Sequence, residues 1–255
     1  MHKEACDNRE DGALVFHIKH FQEVTSTNDE AGAPSWNHGD VIWADYQTRG
    51  RGQRGNRWES AHGANLTFSI VLKPQDFPVE NQFYISKIIS LALVRALSGF
   101  GLQPTVKWPN DIYVGDKKMA GILIENDLLG YHIAKSIIGV GVNINQEIFD
   151  PELPNPTSFI LSTGQPIDSA DILKSILHHF ALLYRVVLDE EYDAIDSAYM
   201  DSLYRKDGQY RFQEPEGAPF LAAISGVMPT GELVLRREGG QCKSYLFKEV
   251  EFVIK

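Results

Sequence analysis

The chain has 255 residues, 43% hydrophobic and 23% charged, which are the proportions of an ordinary globular protein with a sizeable core and exclude a disordered tract. Its 34 acidic residues against 24 basic ones give a net charge of −10, so general attraction to nucleic acid or anionic membrane is excluded and any anion site must be local. Two cysteines, Cys6 and Cys242, lie at opposite ends, offering neither a disulfide framework nor a paired metal motif; with no run near the roughly 20 apolar residues of a membrane span, a cytoplasmic protein is expected.

Residues 1–14, starting MHKEACDNREDG, are expected to be a flexible lead-in, without the apolar core of a signal peptide. VFHIKHF (15–21) predicts a strand. In the following EVTSTNDEAGAP, Ser26, Thr27 and Asn28 supply helix-capping groups and Pro34 limits any helix. DVIWADYQ (40–47) predicts a second strand and ANLTFSIVLKP (64–74) a third, with Leu66, Phe68 and Ile70 alternating. From Asn81 to Leu97 apolar residues recur at helical spacing, with Gly99 and Gly101 as stops. TVKWPNDIYVGDKKMAGILIEN predicts a strand, a Pro-Asn break and a hairpin turning at Gly115-Asp116; YHIAKSIIGVGVNIN (131–145) adds a long strand. Pro151, Pro154 and Pro156 predict an irregular loop. A helical region runs from Ser169 through DILKSILHHFALLYRVVL, with a break before YDAIDSAYMDSLY. QYRF, PFLAAISGVM, GELVLRR and KSYLFKEVEFVI predict a small barrel-like β domain over 204–255, behind an α+β domain over 15–203.

GRGQRG (50–55) fits the G-x-G-x-x-G spacing of a dinucleotide-binding turn. Such a turn opens a helix, whereas NRWESAHGANLTFSIVL runs through turn formers into a strand; Asp76, near the distance of a ribose-binding acid, sits in the PQDFP turn. A Rossmann turn is therefore rejected. RGRGQRGNR instead gathers Arg49, Arg51, Arg54 and Arg57 in an acidic protein, while its glycines let backbone N–H groups approach an anion. The plainer reading is a solvated basic loop. KWPND (107–111) adds Lys107 at a rigid Trp-Pro strand end, a surface lysine if taken alone.

STN (26–28), YQTRGRGQRGNRW (46–58), GANLTFS, VKWPND, KMAGILIE and IGVGVNIN follow one another in an order that covers nearly all of the chain from Val15. In these motifs the sequence resembles the biotin protein ligases, also called biotin–acetyl-CoA-carboxylase ligases. The resemblance implies an α+β fold: a mixed-sheet catalytic domain of the biotin/lipoate ligase type, with an SH3-like β-barrel at the C-terminus. It implies biotin and ATP as substrates, and Mg²⁺ held by the ATP phosphates without a dedicated protein cage. It places Ser26, Thr27, Asn28, Gln47 and Gly121 at biotin, and Gly50, Arg51, Gly52 and Gln53 around the carboxylate and phosphate. Lys107 and Arg51 are its catalytic residues, and Arg51, Gln53, Arg54, Trp58, Lys107, Lys118 and Asn143 its adenylate contacts. Plainer roles stand beside these: a helix cap at Ser26–Asn28, core packing for Trp58, a hairpin-surface lysine at 118, tight strand packing at Gly121, a strand-end turn at Asn143.

Many members carry arginine where this chain has Gln53 and Asn56, a weaker grip on the adenylate for which Arg54 or Arg57 is expected to compensate. Asp111, beside Lys107, is the candidate base for the acceptor lysine. The implied partner is the biotin-carrier domain of a carboxylase, acetyl-CoA carboxylase foremost; relatives are dimers or monomers, so a homodimer stays open. About fourteen residues before the first strand are too few for the helix-turn-helix of bifunctional relatives, so no nucleic-acid partner is expected. Two rivals remain: a lipoate ligase or octanoyl transferase, and a non-catalytic biotin-binding module. His178 and His179 are adjacent, not at the i, i+4 spacing of a helical metal site.

Overall fold

The computed structural model describes residues 14–254, so Cys6 and all but the last residue of the expected lead-in lie outside the described residues. Seven strands form one mixed sheet: β1 (His17–Val24), β2 (Asp40–Gln47), β3 (Leu66–Leu72), β4 (Pro104–Lys107), β5 (Asp111–Val114), β6 (Lys117–Leu129) and β7 (His132–Val142). Their order is β1-β2-β3-β7-β6-β5-β4. β1 and β2 pair in parallel, bridged by the short helix α1 (Thr27–Ala31), and the remaining neighbours pair antiparallel. The predicted hairpin turns at Gly115, whose φ of 57° is left-handed.

β3 is buried at every position, because it lies inside the sheet with both faces covered. Leu66, Phe68 and Ile70 join the core of α2 (Phe83–Gly99) and α4 (Ser169–Leu188). Ile172, Leu173, Ile176, Leu177, Phe180, Leu183, Tyr184 and Val187 make the buried stripe of α4. Asp168 Oδ1 accepts from Ala170 N–H at its start. α2 continues through Gly99, and the chain turns at Gly101, where φ is +88°. The Pro-rich loop leads into a short helix that the sequence did not predict, α3 (Phe159–Thr163), capped by Ser158. α5 (Tyr192–Asp201) follows the expected break.

The C-terminal strands are β8 (Tyr210–Gln213), β9 (Phe220–Val227), β10 (Leu233–Arg237), β11 (Cys242–Tyr245) and β12 (Glu251–Phe252). KSYLFKEVEFVI, expected as one strand, is therefore two. The chain turns between them, with Glu249 N–H bonded to Leu246 O and Lys248 at a φ of 73°, and β12 pairs with β8. The antiparallel order is β11-β10-β9-β8-β12, and among the described residues no ladder joins β11 to β12 to close a barrel. No helix among the described residues is long and apolar enough to cross a membrane.

Register places the chemistry. Lys107 is opposite Asp111, Asp111 opposite Gly121, Gly121 opposite Gly141, and Gly141 opposite Thr67. Paired residues share a face, so this row lies on one side of the sheet. The next row, Val106, Ile112, Ala120, Val142 and Leu66, points to the other side, into the core of α2 and α4.

Candidate functional site

A cavity of about 700 Å³ opens on the Lys107 side of the sheet. Ser26, Thr27, Asn28 and Gln47 line one part of it; Arg51, Gly52, Gln53 and Trp58 come from the loop after β2; Lys107, Lys118 and Gly121 come from β4 and β6. Gly50 and Asn143 do not line it.

The first part is a buried hydrogen-bonding cluster. Ser26 occupies the N-cap position of α1, but its side chain makes no capping bond, so the plain cap reading does not explain it. Thr27 donates its N–H to Gln47 Oε1 at 2.7 Å and its hydroxyl to the same oxygen at 3.2 Å. Ser69 Oγ, on β3, lies 2.8 Å from Thr27 Oγ1 and 2.7 Å from Asn28 Oδ1. Asn28 Nδ2 donates to Glu125 Oε2 at 2.8 Å and Leu123 O at 3.3 Å. Asn28 has its place only because residue 139 is glycine: a Cβ there would fall 2.1 Å from Asn28 Oδ1.

The second part is cationic. Lys107 Nζ lies 5.3 Å from the ring centroids of both Tyr113 and Phe252. Burial holds its pKa below the ordinary lysine value; Asp111 and Glu251 oppose that shift, while Lys118 and Arg205 add to it. Lys118 Nζ is 2.7 Å from Asp111 Oδ1, so the candidate base is engaged by a cation. Arg51 makes a two-pronged contact to Glu125, at 2.9 and 2.6 Å, and lies 2.9 Å from Asp29. Arg57 lines the cavity; the side chain of Arg54 lies outside the described residues. Trp58 lies against the two glycines of the register row. A Cβ at Gly141 would meet its indole at 2.2 Å and one at Gly121 at 3.1 Å, and its buried Nε1 has no partner.

Residues 19–143 match the Biotin/lipoate A/B protein ligase family. Over that stretch the chain is similar to a biotin/lipoate protein ligase domain. It is 29% identical over 236 residues to the bifunctional ligase/repressor BirA of Bacillus spizizenii, covering 90% of this chain and 72% of that one. It is 28% identical over 225 residues to the biotin–acetyl-CoA-carboxylase ligase of Paracoccus denitrificans, covering 85% and 92%. Among solved structures, the biotin protein ligase of Aquifex aeolicus in complex with biotin and ATP superposes with a TM-score of 0.79 at 24% identity, covering 92% and 99%. That likeness is one of fold.

Within the matched stretch Gly50 stands behind the loop, where it accepts from Trp58 N–H and where a Cβ would meet Trp58 O at 2.3 Å. Asn143 is buried and donates to Thr157 O at 2.9 Å, which pins the segment before α3. Ser69, Asp29 and Glu125 escaped sequence reasoning as site residues. The one signal for Glu125 was its place closing KKMAGILIE. Glu251 and Phe252 also border the cavity, from the C-terminal sheet, and no local pattern marked them. Among the described residues no group of three or more His, Cys, Asp or Glu side chains could hold a metal ion.

Proposed function

We propose that this chain activates biotin with ATP as biotinyl-5′-AMP and transfers the biotinyl group to a lysine of a biotin-carrier domain, that of acetyl-CoA carboxylase foremost. One observation carries the reading: a single cavity joins a buried donor and acceptor cluster to a cationic row. Biotin is built to match, with a ureido ring of two N–H donors and a carbonyl at one end and a carboxylate at the other. The names of the curated relatives support biotin over lipoate, which the family description also covers.

In the first step a biotin carboxylate oxygen attacks the α-phosphorus of ATP, the bond to the β-phosphate oxygen breaks, and pyrophosphate leaves. Two anions must meet, so Lys107 and Lys118 serve by neutralising charge and no protein nucleophile is required. In the second step a neutral lysine nitrogen attacks the acyl carbon, a C–N bond forms, AMP leaves with the electron pair, and the proton passes to solvent. Mg²⁺ would arrive on the ATP phosphates. Asp111 and Asp116 border the cavity but are engaged by Lys118 and by Tyr204. The compartment we propose is the cytoplasm.

Biotin-dependent exchange of labelled pyrophosphate into ATP tests the adenylating half. Exchange with biotin and not lipoate supports the reading; exchange with lipoate alone would favour the rival acid, and none with either a binding module. The pH dependence follows from Lys107. Its protonated form holds the anions, so kcat/KM for exchange should fall as pH rises through the lowered pKa of the free enzyme. Bound anions raise that pKa again, so the alkaline limb of kcat should lie at higher pH than that of kcat/KM. Coincident limbs at the free-lysine value would contradict this role.

A further inference from the structure

Beside the main cavity lies a second hollow of about 250 Å³, between the start of α2, the outer part of β6 and two turns of the C-terminal sheet. The two share Gln53, Trp108, Pro109, Asn110, Ile122 and Phe247. Their linings differ in charge. The main cavity is bordered by six cations, Arg51, Arg57, Lys107, Lys117, Lys118 and Lys248, against three carboxylates, Asp111, Asp116 and Glu251, an excess of positive charge. No Lys, Arg, Asp, Glu or His lines the side hollow; its polar side chains are amides and hydroxyls, among them Gln82, Asn126 and Ser86.

Two of those amides are incomplete. Gln53 Oε1 and Asn126 Oδ1 are buried acceptors without a hydrogen-bond partner, a state that costs free energy unless a donor arrives. Trp108 is fixed there by donating Nε1–H to Gly231 O at 2.8 Å, and Phe83 packs against Gly231. An apolar wall with two amide groups along it, whose oxygens are closed off until they turn to meet a donor, suits a side chain with a hydrocarbon stem and a nitrogen head.

We propose that the side hollow receives the acceptor lysine side chain, its stem against Trp108 and Phe83 and its amino group at the Gln53 and Asn126 oxygens. This rests on the biotin-transfer reading above. A cation-bordered cavity repels an ammonium, so the second substrate needs an approach free of positive charge. An acidic approach would hold the lysine charged and unreactive; a neutral, partly apolar one favours the free amine that attacks.

The test uses Asn126→Lys, Asn126→Met and Ser86→Lys in the full chain, none of them at a main-cavity residue. Preformed biotinyl-5′-AMP is given with Nα-acetyl-lysine amide as acceptor, and single-turnover transfer is followed. Both lysine variants should slow transfer about tenfold or more, because the acceptor arrives at neutral pH as an ammonium and a like charge opposes its entry before the proton passes to solvent. The methionine variant, of similar length without charge, should stay close to native, and pyrophosphate exchange should be unchanged in all three. Native-like transfer in the lysine variants, or equal slowing by lysine and methionine at 126, overturns the assignment while intact exchange preserves the ligase reading. Absence of exchange in the native protein overturns that reading and this one with it.

Discussion

Lys107→Ala should lower biotin-dependent pyrophosphate exchange by about 100- to 1,000-fold, the range seen when one preorganised charge-stabilising donor is removed. Lys107 ends β4 at the Trp-Pro turn, between the Tyr113 and Phe252 rings, with the Lys118–Asp111 pair alongside. That setting is partly dry, so in the proposed reaction its charge would act on the transferring phosphate with less screening than that of a surface lysine. The same burial makes an ammonium expensive to hold in the free protein. The alanine variant should therefore keep or slightly raise the thermal midpoint while losing exchange. A folded Lys107→Ala protein with native exchange would remove Lys107 from the chemistry; loss of exchange together with a collapsed midpoint would assign it to structure. Lys107→Arg keeps the charge with a different reach and should recover part of the rate, with an alkaline limb shifted beyond the measurable range.

Gly139→Ala is the second large expected effect, and under the proposed function it should act on biotin and not on ATP. The new methyl would lie 2.1 Å from Asn28 Oδ1 and 2.8 Å from its Cγ, so Asn28 must move. It can do so only by giving up its bonds to Ser69 and Glu125, both inside the cluster that also holds Thr27 and Gln47. Losing buried hydrogen bonds of this kind amounts to about 1–3 kcal/mol, so biotin should bind roughly ten- to a hundredfold more weakly by calorimetric titration. Gly226→Ala, on β9 with no atom within 4 Å of the added Cβ, is the matched control and should bind as the native protein does. Unchanged biotin affinity in a folded Gly139→Ala protein would exclude the Asn28 cluster from the biotin site.

Much of the site was legible because its residues sit in short local motifs. GRGQRG and KWPND each combine turn formers with the cations a carboxylate or phosphate needs, which marked Arg51 and Lys107, whereas Ser26 was assigned by the family resemblance and lines the same cavity. Glu125 illustrates the opposite case. A glutamate closing an apolar strand reads as an ordinary solvent-facing residue, and its partners Arg51 and Asn28 are 74 and 97 positions away. Asn143 and Gly50 were assigned by motif position to the ligand, yet here one pins Thr157 and the other makes room for the Trp58 carbonyl.

The sequence by itself determined the order and type of most elements, since helical periodicity, alternation and Gly or Pro turns are properties of neighbouring residues. It also determined that an acidic chain keeps a concentrated basic loop. Only the tertiary structure decided that KSYLFKEVEFVI breaks into two strands, because β12 completes its hydrogen bonds on β8. Only strand register brought Lys107, Asp111, Gly121 and Gly141 into one row, and only packing set Phe252 over Lys107. Register and packing are fixed by which buried faces fit together across the whole chain, and no local stretch carries that information.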